Sequence, residues 1–182
     1  MEMLRAYGHT IIREEPAGGY VEKDLLRSIS AAVLMQGGIP AITVELGDPE
    51  IPDPAAVAAA VAGTRNIMRW AGMLPGEMES IQGIAVIDPG FPVQWRFTLR
   101  APQAGVVLHL VKPGDQVKVG DRLAEMRDVW GQPIGDGYLY SEYDGFVIGH
   151  PGGVYYYPGE STCCLSVRDE TPLVAPYPVG YL

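Results

Sequence analysis

Apolar and polar residues alternate along the first 75 residues in patterns that predict short helices and strands. Residues 1–6 are typical of the end of a helix and residues 7–13 of a short strand, and a turn rich in Gly and Pro follows at 14–19. From Val21 onwards, apolar residues recur every three or four positions, which predicts a helix. The pair Gly37-Gly38 ends this helix, since glycine closes a helix at little steric cost.

A second helix is predicted after residue 53. Asp53 is suited to cap its amino terminus and Pro54 to occupy its first position. Residues 55–62 are rich in alanine, which would let the helix pack close to a sheet. Its predicted apolar side is formed by residues at helical spacing: Val57, Val61, Thr64, Ile67, Met68 and Ala71. The predicted order of strand, helix, strand and helix is that of the carboxy-terminal part of a three-layer α/β domain.

The pattern changes near residue 76 to short strands separated by turn residues, which predicts an all-β module. This module contains an internal repeat, because residues 101–107 are echoed by 141–147 at an offset of about forty residues. Two similar β units are therefore expected to pack against each other. The predicted domains are 1–75 (partial α/β), 76–170 (all-β) and 171–182, an extended tail rich in Pro and Tyr.

Composition narrows the classes of function. The net charge of −9 disfavours nucleic acid and anionic membranes as partners. The sequence contains no apolar run as long as a membrane span and no signal peptide, so we expect a cytoplasmic protein. The two cysteines, Cys163 and Cys164, are adjacent and would point to opposite faces of a strand. We interpret them as small apolar residues of that strand rather than as a disulfide.

One carboxylate lies at an unexpected place in the apolar pattern. Residues 41–46 are apolar at nearly every position and predict a short, fully buried strand, yet Glu45 stands near its end. A buried charge is costly unless it is paired, ligated or used, and the carboxyl ends of strands in α/β sheets are where ligands bind. Glu45 is therefore a candidate catalytic residue. The alternatives are a glutamate that turns to solvent or one that pairs with Arg65 or Arg69.

Residues 38–47 read Gly-Ile-Pro-Ala-Ile-Thr-Val-Glu-Leu-Gly and closely resemble a segment of the succinylglutamate desuccinylase/aspartoacylase family. The resemblance continues through the following helix and the β module. It implies the carboxy-terminal part of a three-layer α/β domain like that of zinc carboxypeptidases, followed by a barrel-sandwich module like that of biotinyl and lipoyl carriers. It also implies a zinc-dependent hydrolase acting on an N-acyl amino acid, with Glu45 as the general acid/base.

The sequence departs from the family at the metal. The family holds zinc through a His-x-x-Glu element and a later histidine, whereas the residues three places after His9, His109 and His150 are Ile, Lys and Gly. A catalytic zinc needs three protein ligands and an open position. We therefore expect a carboxy-terminal portion that is inactive alone and has a zinc-binding amino-terminal half on another chain, or that self-associates. The alternative is a non-catalytic binding or assembly module that retains the fold.

Tyrosines are the candidate substrate contacts. They cluster in the second β unit, and the resemblance implies that this end of the module approaches the mouth of the active site. Tyr155, Tyr156 and Tyr157 are therefore predicted to contact the substrate. The alternative is cross-strand aromatic packing, which is common in antiparallel sheets.

The carrier-like module suggests a rival function, attachment of biotin or lipoate. Carriers use a lysine at the hairpin between the two halves, whereas that joint, residues 126–137, contains no lysine. We therefore expect mass spectrometry of the purified protein to find Lys112 and Lys118, the lysines of this module, unmodified. Biotin or lipoate on either residue would contradict this expectation.

Overall fold

The computed structural model describes residues 1–15, 19, 23–35, 37–47 and 51–172, and the chain divides into two compact units. The first unit comprises residues 1–11, 15–90 and 171–182, and the second comprises residues 12–14 and 91–170. Residues 16–18 of the predicted turn, the start of the helix predicted from Val21, and residues 173–182 of the predicted tail lie outside the described residues.

The described helices of the first unit are α1 (Glu2–Tyr7), a 3₁₀ turn (Leu25–Arg27), α2 (Ile29–Met35) and α3 (Pro54–Trp70). The prediction of a single continuous helix from Val21 is therefore wrong, because the extended backbone of Ser28 separates the 3₁₀ turn from α2. The Ser28 hydroxyl accepts a hydrogen bond from the N–H of Ala31 at 3.4 Å. Serine favours helix starts over helix interiors for this reason, and α2 begins immediately after it.

The strand predicted at residues 7–13 is also wrong. Tyr7 belongs to α1, and the β-pairing of this segment is limited to a single bridge between Arg13 and Gln94. The ring of Tyr7 is buried against α3, where a Cβ added to Gly63 would lie 2.8 Å from the ring. Gly8, in the left-handed conformation with φ 85°, closes α1 directly after Tyr7.

Helix α3 begins as the sequence predicts but buries a different face. The Asp53 carboxylate accepts a hydrogen bond from the N–H of Ala55 at 2.8 Å, and Pro54 is the first helical residue. The predicted apolar face is wrong, since Val57 and Val61 are 55% and 44% exposed. Its buried positions hold mainly small residues, of which Gly63 lies against the Tyr7 ring: Ala56, Ala59, Ala62, Gly63 and Asn66.

The second unit contains eight described strands: β1 (Val93–Arg100), β2 (Gly105–His109), β3 (Gln116–Val117), β4 (Arg122–Arg127), β5 (Pro133–Tyr140), β6 (Gly145–Gly149), β7 (Tyr155–Tyr156) and β8 (Ser161–Arg168). They form two four-stranded antiparallel sheets with the orders β1-β8-β6-β3 and β5-β4-β2-β7. The prediction of an α/β part followed by an all-β module is confirmed only coarsely, as a few helices followed by a β-rich unit, because the described residues of the first unit form no strand.

The internal repeat is confirmed by these strands. Strands β1 to β4 recur as β5 to β8 at an offset of about forty residues. Each sheet takes two strands from each repeat, and exchanging the two repeats converts the order of one sheet into that of the other. The core between the sheets is mainly aliphatic and includes Tyr156, and the free thiols of Cys163 and Cys164 are buried, as the sequence predicts.

Glycine allows strands β6 and β8 to approach closely. A Cβ at Gly145 would lie 2.3 Å from the carbonyl oxygen of Ser166, whereas a Cβ at Gly149, in the same strand, would meet nothing within 4 Å. We expect Gly145→Ala to lower the free energy of unfolding by roughly 1–3 kcal/mol, because the strands must move apart. The matched variant Gly149→Ala should stay within about 0.5 kcal/mol of the parent. Urea unfolding of both variants tests this, and equal losses would contradict it.

Candidate functional site

Glu45 lies on an extended segment that does not form the predicted strand. Residues 40–46 are neither helix nor strand, and Thr43, Glu45 and Leu46 are exposed to solvent. The prediction of a fully buried strand at 41–46 is therefore wrong. The reason is that a strand needs a neighbour for its backbone groups, and the eight described strands lie within residues 93–168 and pair among themselves. The structure thus favours the solvent-facing alternative for Glu45.

The two arginines considered as partners of Glu45 are used elsewhere. Arg69 donates a hydrogen bond to the carboxylate of Glu79 at 2.7 Å, and Arg65 lies 3.6 Å from the same carboxylate. Buried Asn66 completes this cluster, since it both donates to the Glu79 carbonyl and accepts from the Glu79 N–H. The Arg69 hydrogen bond lowers the pKa of Glu79. These contacts hold Glu79 against α3. Neither arginine forms an ion pair with Glu45.

The three candidate tyrosines differ in environment. Tyr156 is buried in the core of the second unit, and its hydroxyl donates a hydrogen bond to the Pro151 carbonyl at 2.7 Å. Tyr155 and Tyr157 are exposed on either side of it, with their rings in an edge contact at 5.4 Å. An exposed hydroxyl can contact a ligand, whereas that of Tyr156 is already engaged.

The structure brings together two histidines that are far apart in the sequence. The rings of His109 and His150 stack in parallel with centroids 3.7 Å apart, and the Tyr156 ring meets His109 edge-on. Both ring nitrogens of His109 and Nε2 of His150 are buried without a hydrogen-bond partner among the described residues. Burial therefore lowers the pKa of both imidazoles, that of His109 to about 4, with the neighbouring His150 as a second cause.

The two histidines lie at nearly equivalent positions of the internal repeat, which is the feature of the sequence that relates them. His109 ends β2, and β6 is the repeat equivalent of β2, with His150 immediately after it. The offset between the two histidines is 41 residues rather than 40, because the register of β6 shifts between Val147 and Gly149. One irregular residue therefore hides the equivalence in the sequence.

The described residues do not fit the zinc that the resemblance implies. Within the described ranges, no group of three or more His, Cys, Asp or Glu side chains is arranged to hold a metal ion. His9 belongs to the first unit and the stacked histidines to the second. A three-ligand catalytic site is thus not built by this part of the chain.

None of the described helices is both long and apolar enough to cross a bilayer. The longest of them, α3, has 17 residues.

Comparison with known proteins shows the fold. No protein-family model matches the chain, and no curated protein matches it. A solved succinylglutamate desuccinylase from Silicibacter sp. TM1040 matches with a TM-score of 0.68 at 19% identity, over 92% of this chain and 48% of that one. A succinylglutamate desuccinylase/aspartoacylase from Rhodobacter sphaeroides matches with a TM-score of 0.62 at 20% identity, over 76% of this chain and 43% of that one.

A third similar structure is the product-bound ectoine utilization protein EutE (DoeB) from Ruegeria pomeroyi. Its TM-score is 0.60 at 22% identity, over 75% of this chain and 41% of that one. The resemblance seen in residues 38–47 is confirmed at the level of the fold. The chain spans less than half the length of each of these three structures.

The stacked histidines predict a pH dependence of stability. Because their pKa values are lower in the folded unit than in the unfolded chain, the unfolded chain binds more protons as the pH falls below about 6.5. Stability present above that pH is lost as the pH approaches 4, by at most about 3 kcal/mol for His109. Replacing His109→Phe keeps a ring in the stack but removes its titration. Urea unfolding near pH 7 and near pH 4.5 should therefore show a smaller loss for the variant. An equal loss would exclude His109 as the source.

Proposed function

We propose that this chain is the carboxy-terminal portion of a zinc-dependent hydrolase that cleaves an N-acyl amino acid. The observation that carries the proposal is the fold match to a solved succinylglutamate desuccinylase over 92% of this chain. Residues 38–47 support it independently, since their amino-acid sequence resembles a segment of the same family. The described residues do not hold the metal, so the proposal assigns its ligands to an amino-terminal half of the fold that the described residues do not include.

Glu45 is the proposed general acid/base. Its carboxylate is exposed and makes no ion pair or hydrogen bond with the described residues, so it is available to accept a proton and return it. General acid/base catalysis typically contributes a factor of 10²–10⁴ in rate. Amide hydrolysis needs a much larger acceleration, which is why the isolated chain is expected to be inactive or nearly so.

The second unit is the proposed barrel-sandwich module. The support is its interleaved repeat, in which each sheet contains two strands from each half. Tyr155 and Tyr157, which are exposed, are the proposed substrate contacts of this unit. Its buried free cysteines agree with a reducing compartment, which supports a cytoplasmic location.

A non-catalytic binding or assembly module is the second candidate. It is favoured by one observation: the described residues keep the fold but gather no set of metal ligands. The two candidates differ in a measurable way, since only the first gains activity when the metal-binding half is added.

We expect the purified chain to contain less than stoichiometric zinc and to hydrolyse N-acyl amino acids at a negligible rate. Adding an amino-terminal half that carries His-x-x-Glu and a later histidine should produce zinc-dependent release of the free amino acid. Glu45→Gln should then lower the rate by about 10²-fold or more, because it removes the proton acceptor. The exposed Glu77 of the same unit offers a matched control, Glu77→Gln, which should keep the parent rate.

Robust turnover by the chain alone would contradict the assignment of the metal ligands to another half. Zinc-dependent turnover of the mixture that survives Glu45→Gln would contradict the role of Glu45.

A further inference from the structure

Two of the four sheet edges in the second unit are long. Among the described strands, those at the edges are β1 and β3 in one sheet and β5 and β7 in the other. Strands β3 and β7 have two residues each, whereas β1 and β5 have eight. An open edge presents unpaired backbone N–H and C=O groups, so a long edge is a template for pairing with another chain.

Strand β5 is poorly suited to such pairing. It begins with Pro133, which has no backbone N–H to donate, and it contains Gly135 and Gly137 with φ of 63° and 87°. Left-handed residues interrupt the extended backbone along which another strand would pair. The edge of β5 is therefore blunted by its own sequence.

Strand β1 contains neither proline nor glycine. Its pairing with β8 is irregular between Arg96 and Arg100 but regular over residues 93–96. A regular extended edge is the form that another strand can join. Residues 93–96 are therefore the part of the edge that needs a cover.

Residues 12–14, which we term the strap, lie along this regular part of β1. They belong to the second unit, although almost eighty residues separate them from β1 in the sequence. The Arg13 N–H donates to the Val93 carbonyl, and the Trp95 N–H donates to the Arg13 carbonyl, both at 2.9 Å. These two bonds form a parallel bridge between Arg13 and Gln94. The strap therefore occupies outward-facing backbone groups of the edge.

A buried ion pair holds the strap in place. The Arg13 guanidinium lies 2.8 Å from the Asp169 carboxylate, and the two side chains are 14% and 0% exposed. Asp169 directly follows β8, and its N–H donates to the Pro92 carbonyl at 2.9 Å, which places it beside the start of β1. Removing one partner of a buried ion pair is strongly destabilising. The pair therefore favours the bound position of the strap.

We propose that the strap is an edge cover, which the Arg13–Asp169 ion pair holds on β1 and which prevents this edge from pairing with the β1 edge of a second copy. A second copy is the occupant of the uncovered edge because strand pairing is made by backbone groups, and every copy carries the same edge. The inference is independent of the proposed function, since it involves neither zinc nor Glu45.

The first test is Arg13→Ala in the full chain. Hydrogen exchange of the Trp95 amide should become faster by at least about tenfold, because release of the strap no longer breaks a buried ion pair. The amides of β6, an interior strand of the same sheet, should keep their parent rates. Arg127 forms an ion pair with Glu125 at 2.9 Å, but its side chain is 42% exposed. Arg127→Ala is therefore the matched control, which should leave exchange at Trp95 unchanged.

A second variant separates release of the strap from general destabilisation. Arg13→Met with Asp169→Asn removes both charges, so neither is left buried alone. It should also speed exchange at Trp95 and leave the amides of β6 unchanged. Equal acceleration at Trp95 and in β6 in both variants would show that the pair only stabilises the unit as a whole, and would overturn the proposal.

Association distinguishes an edge cover from a structural brace. Light scattering over a range of concentrations should give Arg13→Ala a mass that rises above that of the parent and of Arg127→Ala. Exchange at Trp95 should slow again as this mass rises, because the edge of a second copy replaces the strap. A variant that exchanges fast at Trp95 but keeps the parent mass at every concentration would overturn the role as a cover.

Discussion

The structure of the second unit depends on the exchange of strands between two repeats. Neither repeat forms a sheet by itself, since each sheet takes two strands from each. The core between the sheets, which includes Leu123 and Leu165 from equivalent strands, exists only when both repeats are in place. Gly105 and Gly145, at equivalent positions, permit the close strand contacts, because a Cβ at either would meet a backbone oxygen within 2.6 Å. Burial and backbone pairing are therefore satisfied together.

The first unit contrasts with this arrangement. Its described contacts include the Tyr7 ring on Gly63, the hydrogen bond from the Ile87 N–H to the Thr10 hydroxyl, and the hydrogen bonds of Asn66 and Arg69 to residue 79. Its larger aliphatic residues and the backbone of residues 40–46 have no equivalent of the sheet-to-sheet core. Glu45, the candidate catalytic residue, lies on this part of the chain and is exposed.

The features that the sequence predicts correctly have a local physical cause. The cap at Asp53-Pro54 depends on a side chain and a neighbouring N–H, and the repeat depends on equal spacing of strands and turns. The strand predicted at residues 41–46 is wrong, because an apolar run favours a strand but cannot supply the neighbouring strand that its backbone groups need. The stacked histidines were missed because the irregularity in β6 changes their offset by one residue.

The sequence by itself determined the helix start at Pro54, the all-β character of the second unit and its twofold repeat. It also carried the Gly38 to Gly47 segment, whose resemblance to the desuccinylase family agrees with the fold of the solved structures. Only the tertiary structure decided which face of α3 is buried. Both its alanine side and its valine side are apolar, and the side that carries the alanines and Gly63 is the buried one. A Cβ at Gly63 would lie 2.8 Å from the Tyr7 ring, so a larger residue at that position would clash with the ring, while Val57 and Val61 lie on the exposed side.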